Sequence, residues 1–236
     1  MTIGVTDHGS YCAGTGGGTQ TGISISSGTK MLVVNVSGYA SAADTTSITS
    51  VEWGNGTSTE NLAQEIGFEG AGGASGNCSY TWYLANPTSS YDRIIVTPAI
   101  TFTEGLSVTW AALSSTGALS IIDSGGDGVA NTGTAAITLT GGAAGDKIFV
   151  HGSGYEVASV DLNLQSQTIL DVQNTTACNN DYYGHAWKDW SSGATTNVSG
   201  NYPVSTAILV NEAAGGANAP TGNIYGTLFG PLGGPV

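Results

Sequence analysis

Residues 78–99, CSYTWYLANPTSSYDRIIVTPA, contain the clearest strand pattern in the chain and decide the fold class. In residues 80–85 every second side chain, Tyr80, Trp82 and Leu84, is large and apolar. This is the period of two expected of a strand with one buried face. Asn86 and Pro87 end this strand, because proline has no N–H for the ladder and Asn-Pro favours a turn. A second alternating run at 94–97 predicts that the segment is an aromatic-rich β-hairpin in the core of a sheet.

Further strand patterns extend on both sides of this segment. Turn signals such as Gly54-Asn55-Gly56 separate them, residues 60–66 carry a weakly helical pattern, and 121–133 read as an exposed Gly/Asp loop. About ten strands at spacings of about 8–15 residues predict an all-β fold, an antiparallel, jelly-roll-like β-sandwich with little helix. The predicted strands outside the hairpin are residues 21–27, 30–39, 48–53, 106–112, 134–140, 147–150, 160–165, 168–172 and 206–211.

The chain has 236 residues, which suits one large sandwich better than two independent domains. We divide it into a Gly/Thr-rich N-terminal segment with an edge strand (1–28), the β-sandwich (29–214) and a Gly/Pro-rich C-terminal arm (215–236). The sequence KMLVVNVSGYA at 30–40 resembles DKIFVHGSGYE at 146–156. This likeness is open to two interpretations, an internal duplication or a pattern common to many strands.

The charge balance excludes several classes of protein. Only 9% of residues are charged, the net charge is −13, and the basic side chains are limited to Lys30, Arg93, Lys147 and Lys188. Binding to nucleic acid or to an anionic membrane surface needs a basic footprint, so neither is expected. The acidity is explained by solubility or, alternatively, by cation binding.

Three cysteines, Cys12, Cys78 and Cys178, are widely spaced and form no CxxC pair, so a zinc knuckle or redox motif is not expected. They permit one long-range disulfide with one thiol left over, three buried thiols, or a bond between subunits. The N-terminal MTIGVTDHGSYCAG lacks the features of a signal peptide, and no apolar run is long enough to span a bilayer. We therefore expect release by a route other than general secretion, such as host lysis or type I export, unless a leader has been removed.

Two short motifs are candidates for chemical function. The sequence His151-Gly152-Ser153-Gly154 resembles a serine-hydrolase elbow, but the elbow needs glycine at the first position and a following helix, so a turn is the better interpretation. Asp123 and Asp127, in a glycine-rich stretch, are weak candidates for calcium, which prefers carboxylate ligands, although further oxygen ligands are lacking. The alternative for them is a plain turn.

Four glutamates near Trp53 could include a glycosidase pair, which needs two carboxylates at a set separation. The alternative is a solvated acidic surface. The four are Glu52, Glu60, Glu65 and Glu69.

The sequence DYYGHAWKDW at 181–190 is the densest aromatic patch in the chain. Its side chains could stack on sugar rings, form a subunit interface or fill the sandwich core, and all three interpretations stay open. The candidate residues are Tyr182, Tyr183, His185, Trp187 and Trp190.

The arm at 215–236 mixes glycine and proline with isolated apolar side chains and cannot form a core of its own. It is interpreted either as a strap over its own sandwich or as an arm that docks on a neighbouring subunit. The docking residues would be Ile224, Tyr225, Leu228, Phe229 and Leu232.

Four segments together resemble a β-sandwich domain of tailed-phage virion structural proteins and bacterial surface proteins. They are KMLVVNV at 30–36, ITSVEWG at 48–54, WYLANP at 82–87 and DRIIVTP at 92–98. The resemblance covers residues 29–113 and, more loosely, the second half through 207–212, whereas ENLAQEIGFEGAGG at 60–73 and the arm depart from it. It implies the sandwich fold and a structural or adhesive role without a catalytic signature.

We therefore predict a non-enzymatic virion structural protein, most simply a capsid decoration or head-surface subunit, with a fibre or tail component as the next choice. Its partners would be copies of itself and other virion proteins at the virion surface, with no cofactor, nucleic acid or membrane. The alternative is an extracellular carbohydrate-binding or adhesin module, and a more remote one is a glycoside hydrolase.

Overall fold

The computed structural model describes residues 2–40, 46–69, 76–129, 132–154, 163–165, 168–174, 182–190 and 195–213. Every regular element within these ranges is a β-strand, which confirms the all-β prediction. The same ranges contain no helix with the length and apolarity of a membrane span.

The first nine strands form two antiparallel sheets that pack on each other as a sandwich. Inner sheet 1 has the order β1-β9-β3-β7-β6, and outer sheet 1 has the order β2-β8-β4-β5. The strands are β1 (Gly4–Ala13), β2 (Gly18–Thr21), β3 (Thr29–Tyr39), β4 (Ile48–Gly54), β5 (Thr59–Asn61), β6 (Ala63–Glu69), β7 (Asn77–Ala85), β8 (Arg93–Pro98) and β9 (Leu106–Ser114).

The remaining strands form a second sandwich, so the described residues contain two stacked sandwiches where the sequence predicted a single one of about ten strands. Inner sheet 2 has the order β10-β17-β12-β15-β14, and outer sheet 2 has the order β11-β16-β13. The strands are β10 (Leu119–Gly128), β11 (Thr132–Thr138), β12 (Lys147–Gly154), β13 (Asn163–Gln165), β14 (Thr168–Asn174), β15 (Tyr182–Asp189), β16 (Thr195–Asn201) and β17 (Val204–Glu212).

The two sandwiches repeat one topology. The order of inner sheet 1, β1-β9-β3-β7-β6, matches strand for strand the order of inner sheet 2, β10-β17-β12-β15-β14. In the outer sheets, β2-β8-β4 matches β11-β16-β13 in the same way. The similar sequences at 30–40 and 146–156 contribute the central strands β3 and β12. The shared topology therefore favours the duplication interpretation, and we refer to residues 4–114 and 119–212 as the first and second repeats.

The sheets stack in the order outer sheet 1, inner sheet 1, inner sheet 2, outer sheet 2. Each repeat has its own apolar core between its two sheets, one built around Trp53 and the other around Leu209. A third apolar cluster, which includes Val33 and Phe149, joins the two inner sheets. Alternate residues of β3 and β12 face these different cores, because successive side chains of a strand point to opposite faces.

The predicted hairpin at 78–99 is wrong in its pairing, although both of its strands exist. Strand β7 pairs with β3 and β6, whereas β8 pairs with β2 and β4, so the connection crosses from the inner to the outer sheet. Asn86 has a left-handed φ of 51° at the point where the chain leaves the inner sheet. Trp82 and Ile94 meet in the same core from facing sheets. Alternation showed that both runs are strands, but it did not show their partners, nor that β7 is buried on both faces from Asn77 to Trp82.

Three further local predictions are corrected. Residues 60–66 are not helical: β5 and β6 occupy this region on either side of Leu62, whose side chain enters the first core. Most of the predicted loop at 121–133 belongs to β10 and the start of β11. The N-terminal segment contains β1, which pairs with β9 along its whole length, and β2, whereas the edge strand predicted at 21–27 is wrong because residues 22–28 form no strand. In each case tertiary pairing overrides a glycine-rich or helical local pattern.

Candidate functional site at the inter-repeat interface

The interface between the two inner sheets is apolar at one end and polar at the other. At the apolar end seven side chains, each at most 5% exposed, close the contact. They are Met31, Val33, Ala111, Leu113, Phe149, Ile208 and Val210.

Further along the same strands the facing positions become polar while they stay buried. Each of these side chains is at most 6% exposed. They are Asn35, Ser37, Ser79, Thr81, Ser107, Thr109, His151, Ser153, His185 and Thr206.

Hydrogen bonds join these groups across and along the two sheets. Asn35 donates from Nδ2 to Thr109 Oγ1 over 3.3 Å and accepts at Oδ1 from Thr81 Oγ1 over 2.8 Å. Thr206 Oγ1, from the second repeat, lies 2.9 Å from Thr81 Oγ1 and 3.0 Å from Ser79 Oγ. Pairing of this kind offsets the desolvation cost of burying polar groups.

His151 is the member of the second repeat that reaches furthest into this network. Its Nε2 lies 3.1 Å from Ser37 Oγ and its Nδ1 lies 3.2 Å from Thr109 Oγ1, so the ring contacts two strands of the first repeat. Burial lowers the pKa of His151 to about 3, and a backbone hydrogen bond with Gly184 opposes that shift. The neutral ring has one donor and one acceptor nitrogen, and hydroxyl groups can serve either.

His185 lies opposite His151 in the register of β15 and β12. Neither of its ring nitrogens has a hydrogen-bond partner among the described residues, although the side chain is 3% exposed. Burial is the largest cause that lowers the pKa of His185 to about 3, and the charges of His151 and His8 act in the same direction. The His8 ring, on β1, makes an edge-to-face contact with the His185 ring at a centroid distance of 6.1 Å.

The aromatic patch predicted at 181–190 does not form one surface. Tyr183 and His185 are buried at the interface between the repeats. Trp187 packs against the apolar end of that interface beneath the ammonium of Lys147, which lies 3.9 Å from a Trp187 ring centroid, while Trp190 packs against the core of the second repeat. Tyr182 lies on β15, but its side chain is outside the described part of the chain.

The sequence at 151–154 forms the end of β12 rather than a turn. Ser153 is 6% exposed and in register with Tyr183, and the His151 ring is bonded to Ser37 and Thr109. These contacts place both residues inside the interface.

The calcium candidate Asp123 fastens β10 to the segment that follows β11 in the second repeat. It follows a β-bulge in β10, and its Oδ2 accepts hydrogen bonds from the N–H (2.6 Å) and hydroxyl (3.2 Å) of Thr140. Asp7 follows the equivalent bulge in β1, and its Oδ2 accepts from the N–H (2.9 Å) and hydroxyl (3.0 Å) of Ser26. The shared arrangement gives Asp123 a structural role that is repeated in both halves.

Asp127 has a similar role further along β10. Its Oδ2 accepts from the N–H of Ala136 on β11 over 2.7 Å, and its Oδ1 accepts from Gly128 N–H over 2.8 Å. Among the described residues no group of three or more His, Cys, Asp or Glu side chains is placed to hold a metal ion.

The four candidate glutamates are distributed over two sheets. Glu52 and Glu60 lie on β4 and β5 of outer sheet 1, whereas Glu65 and Glu69 lie on β6, at the edge of inner sheet 1. The Glu60 carboxylate accepts from Thr88 N–H over 3.0 Å and from Thr88 Oγ1 over 2.7 Å. It therefore holds the connection between β7 and β8.

Cys12 is disulfide-bonded and Cys78 is a buried free thiol that donates to the Gly38 carbonyl over 3.3 Å. Cys178 lies outside the described residues, as does the whole predicted arm with Ile224, Tyr225, Leu228, Phe229 and Leu232.

Comparisons with protein-family models, with curated proteins and with solved structures return no match. The class of the protein therefore rests on its architecture, a tandem β-sandwich with a buried polar interface. Sequence reasoning missed that interface as a site. The signal that could have found it is polar side chains at alternate positions in the related strands: Asn35 and Ser37 in one, His151 and Ser153 in the other.

Proposed function

We propose that the chain is a non-enzymatic structural protein of a virion surface, with capsid decoration as its role. The observation that carries the proposal is the stack of two sandwiches through their inner sheets, which share one buried contact. Such a stack is a rigid body suited to presentation on a surface, because its close-packed cores resist deformation.

Two features support this proposal. The disulfide at Cys12 is the kind of bond that persists in oxidising surroundings, such as virion and cell surfaces. Several carboxylates and histidines considered for chemistry have structural partners instead, Asp123 with Thr140 and Glu60 with Thr88 among them.

Assembly is proposed to use lateral contacts between copies and the segment 215–236 as an arm. Light scattering on the full-length chain and on a chain lacking residues 215–236 tests this directly. We expect a defined oligomer from the first and a monomer from the second, with the same loss for the Leu228→Ala/Phe229→Ala pair. Ile122→Ser is the matched control, because Ile122 is an exposed large apolar side chain of the sandwich body.

Binding to purified particles, followed by electron microscopy, tests the virion role itself. Binding that depends on residues 215–236 supports decoration. Monomers in both preparations, together with no particle binding, would contradict it. Glycan retention lost in Trp187→Ala and Trp190→Ala, with the fold left intact by circular dichroism, would instead favour the carbohydrate-binding alternative. Sugar hydrolysis lost on changing Glu65 or Glu69 would favour an enzyme.

A further inference from the structure

All three histidines of the chain lie at or beside the interface between the repeats. His151 and His185 are directly opposed on neighbouring strands and are 1% and 3% exposed, whereas His8 is exposed on the adjoining edge strand β1. Cross-strand neighbours have Cβ atoms about 4.5–5.5 Å apart. Two imidazolium charges at this spacing, away from water, would repel each other strongly.

The side chains that face the two buried rings carry no negative charge in the contacts described, and the backbone hydrogen bond with Gly184 is the one recorded interaction that favours protonated His151. The groups facing His151 from β3, β9 and β17 are the uncharged side chains of Ser37, Thr109 and Thr206. Apart from His185 itself, the titratable group on β15 that joins this polar end is the phenol of Tyr183.

Strand β1 approaches β15 at His185 and Tyr183, and β14 pairs with β15 on its other side. Strand β1 contributes His8 and the disulfide-bonded Cys12, whose Sγ lies 3.7 Å from Tyr183 Oη. Strand β14 places Asp171 in register with His185. Strands β12 and β15 also carry charged residues of their own. Lys147 and Asp189 form an ion pair at the end of these two strands that lies away from His151 and His185, and Lys188 precedes Asp189 in β15.

The apolar core of each repeat has no histidine among its buried members. The buried members of the first core are apolar side chains together with Cys78 and Tyr80, and those of the second are wholly apolar. Protonation of the two buried histidines therefore acts where the repeats meet.

We infer that the polar half of this interface is an acid-sensitive joint, at which protonation of His151 and His185 opens the contact between the inner sheets, while each repeat keeps its own core and the disulfide at Cys12 stays intact. The direction of the pH effect follows from the linkage between histidine protonation and opening of the interface. Both folded-state pKa values lie below the ordinary 6.5, so the closed interface is fully favoured above pH 6.5 and loses stability as the pH falls from 6.5 towards 3. Each histidine contributes up to about a tenfold change in the opening equilibrium per pH unit over that range.

Two adjacent positions on β7 allow the joint and the core to be tested in one protein. Cys78 is a native thiol in the core of the first repeat, and Ser79 faces the interface, where its hydroxyl lies 3.0 Å from Thr206 Oγ1. The experiment measures the reaction of both thiols in full-length Ser79→Cys with an aromatic disulfide that reacts at low pH, located by peptide mapping. Between pH 7 and pH 4.5 we expect the position-79 thiol to react at least tenfold faster, after correction for intrinsic reactivity, while Cys78 stays protected.

The same measurement in a His151→Asn/His185→Gln background should lose this increase, whereas His8→Asn, which removes one neighbour of His185 and leaves both buried rings in place, should reduce it less. Asn is chosen at 151 because Asn35 occupies the equivalent position of the first repeat. Asp171→Asn separates any contribution of that carboxyl group from the contribution of the histidines.

The inference is overturned if both thiols become reactive together, if neither does, or if the increase persists without the two histidines. Should the double variant fail to fold, histidine ring NMR on the wild-type chain decides the matter. Titration of His151 or His185 near pH 6.5 in a closed interface would contradict the inference, and persistence of both neutral rings until the interface opens would support it.

Discussion

Asn35 and His151 occupy equivalent places in the two repeats. Each lies on the central strand of an inner sheet, two residues before the serine of a shared Ser-Gly pair. Asn35 is in register with Thr81 and Thr109, and His151 is in register with His185 and Thr206. The two residues thus anchor the polar half of the interface from opposite sides, one with a permanently neutral amide and the other with a titratable ring.

Replacing Asn35 should destabilise the chain through the partners that it leaves behind. Asn35→Ala removes the bonds to Thr109 and Thr81, so we expect the free energy of unfolding to fall by about 1–3 kcal/mol. Urea unfolding followed by circular dichroism measures the change. The half-buried Asn197→Ala on β16 is the control and should change the free energy by less than about 0.5 kcal/mol; an equal loss in both variants would contradict the network.

Glu60 should act as a structural residue. Glu60→Ala removes both hydrogen bonds to Thr88, and bonds to a carboxylate of this kind contribute about 1.5–3 kcal/mol, less where solvent reaches them. We expect a loss of about 1–2 kcal/mol in thermal or urea unfolding. Glu69→Ala, at the exposed end of β6, is the matched control. An unchanged stability in Glu60→Ala would argue that the carboxylate serves another purpose.

Asp7 and Asp123 should respond alike, because each accepts the N–H and hydroxyl of one Ser or Thr after the equivalent bulge. We expect Asp7→Ala and Asp123→Ala each to lower the free energy of unfolding by about 1 kcal/mol. The melting temperature of the wild-type chain should be the same in calcium and in chelator. A rise with calcium that is lost only in Asp123→Ala would support calcium binding at Asp123.

The disulfide state of the three cysteines can be tested chemically. Without reductant, the unfolded chain should expose one thiol, that of Cys78, since Cys12 is disulfide-bonded. Peptide mapping should identify the partner of Cys12, and Cys178 is expected because the chain has three cysteines. Reduction should lower the free energy of unfolding by about 2–4 kcal/mol. Three thiols in the unreduced protein would contradict this arrangement.

Local pattern was enough to predict the all-β class and the bounds of the central strands. Alternation in 30–39 and 106–112 matches β3 and β9, and the Gly54-Asn55-Gly56 turn is present, with Gly56 at a φ of 90°. These features depend on side-chain period and backbone sterics within a few residues, which any single sequence carries.

Strand partners were not predictable in the same way. The segments at 78–85 and 93–98 have the pattern of a hairpin, but they belong to different sheets because each finds its partners among distant strands. Strand β1 is a glycine-containing segment that becomes ordered through its pairing with β9, about a hundred residues away along the chain.

The sequence by itself determined that this chain forms strands, carries few basic side chains and contains two similar segments. Only the tertiary structure decided that those segments are the centres of two facing sheets. It also decided that Asn35, His151 and His185 are buried together and that the aromatic patch divides between the interface and a core. The reason is that strand periodicity assigns a side chain to one of two faces, whereas what covers that face depends on contacts between residues far apart in the chain.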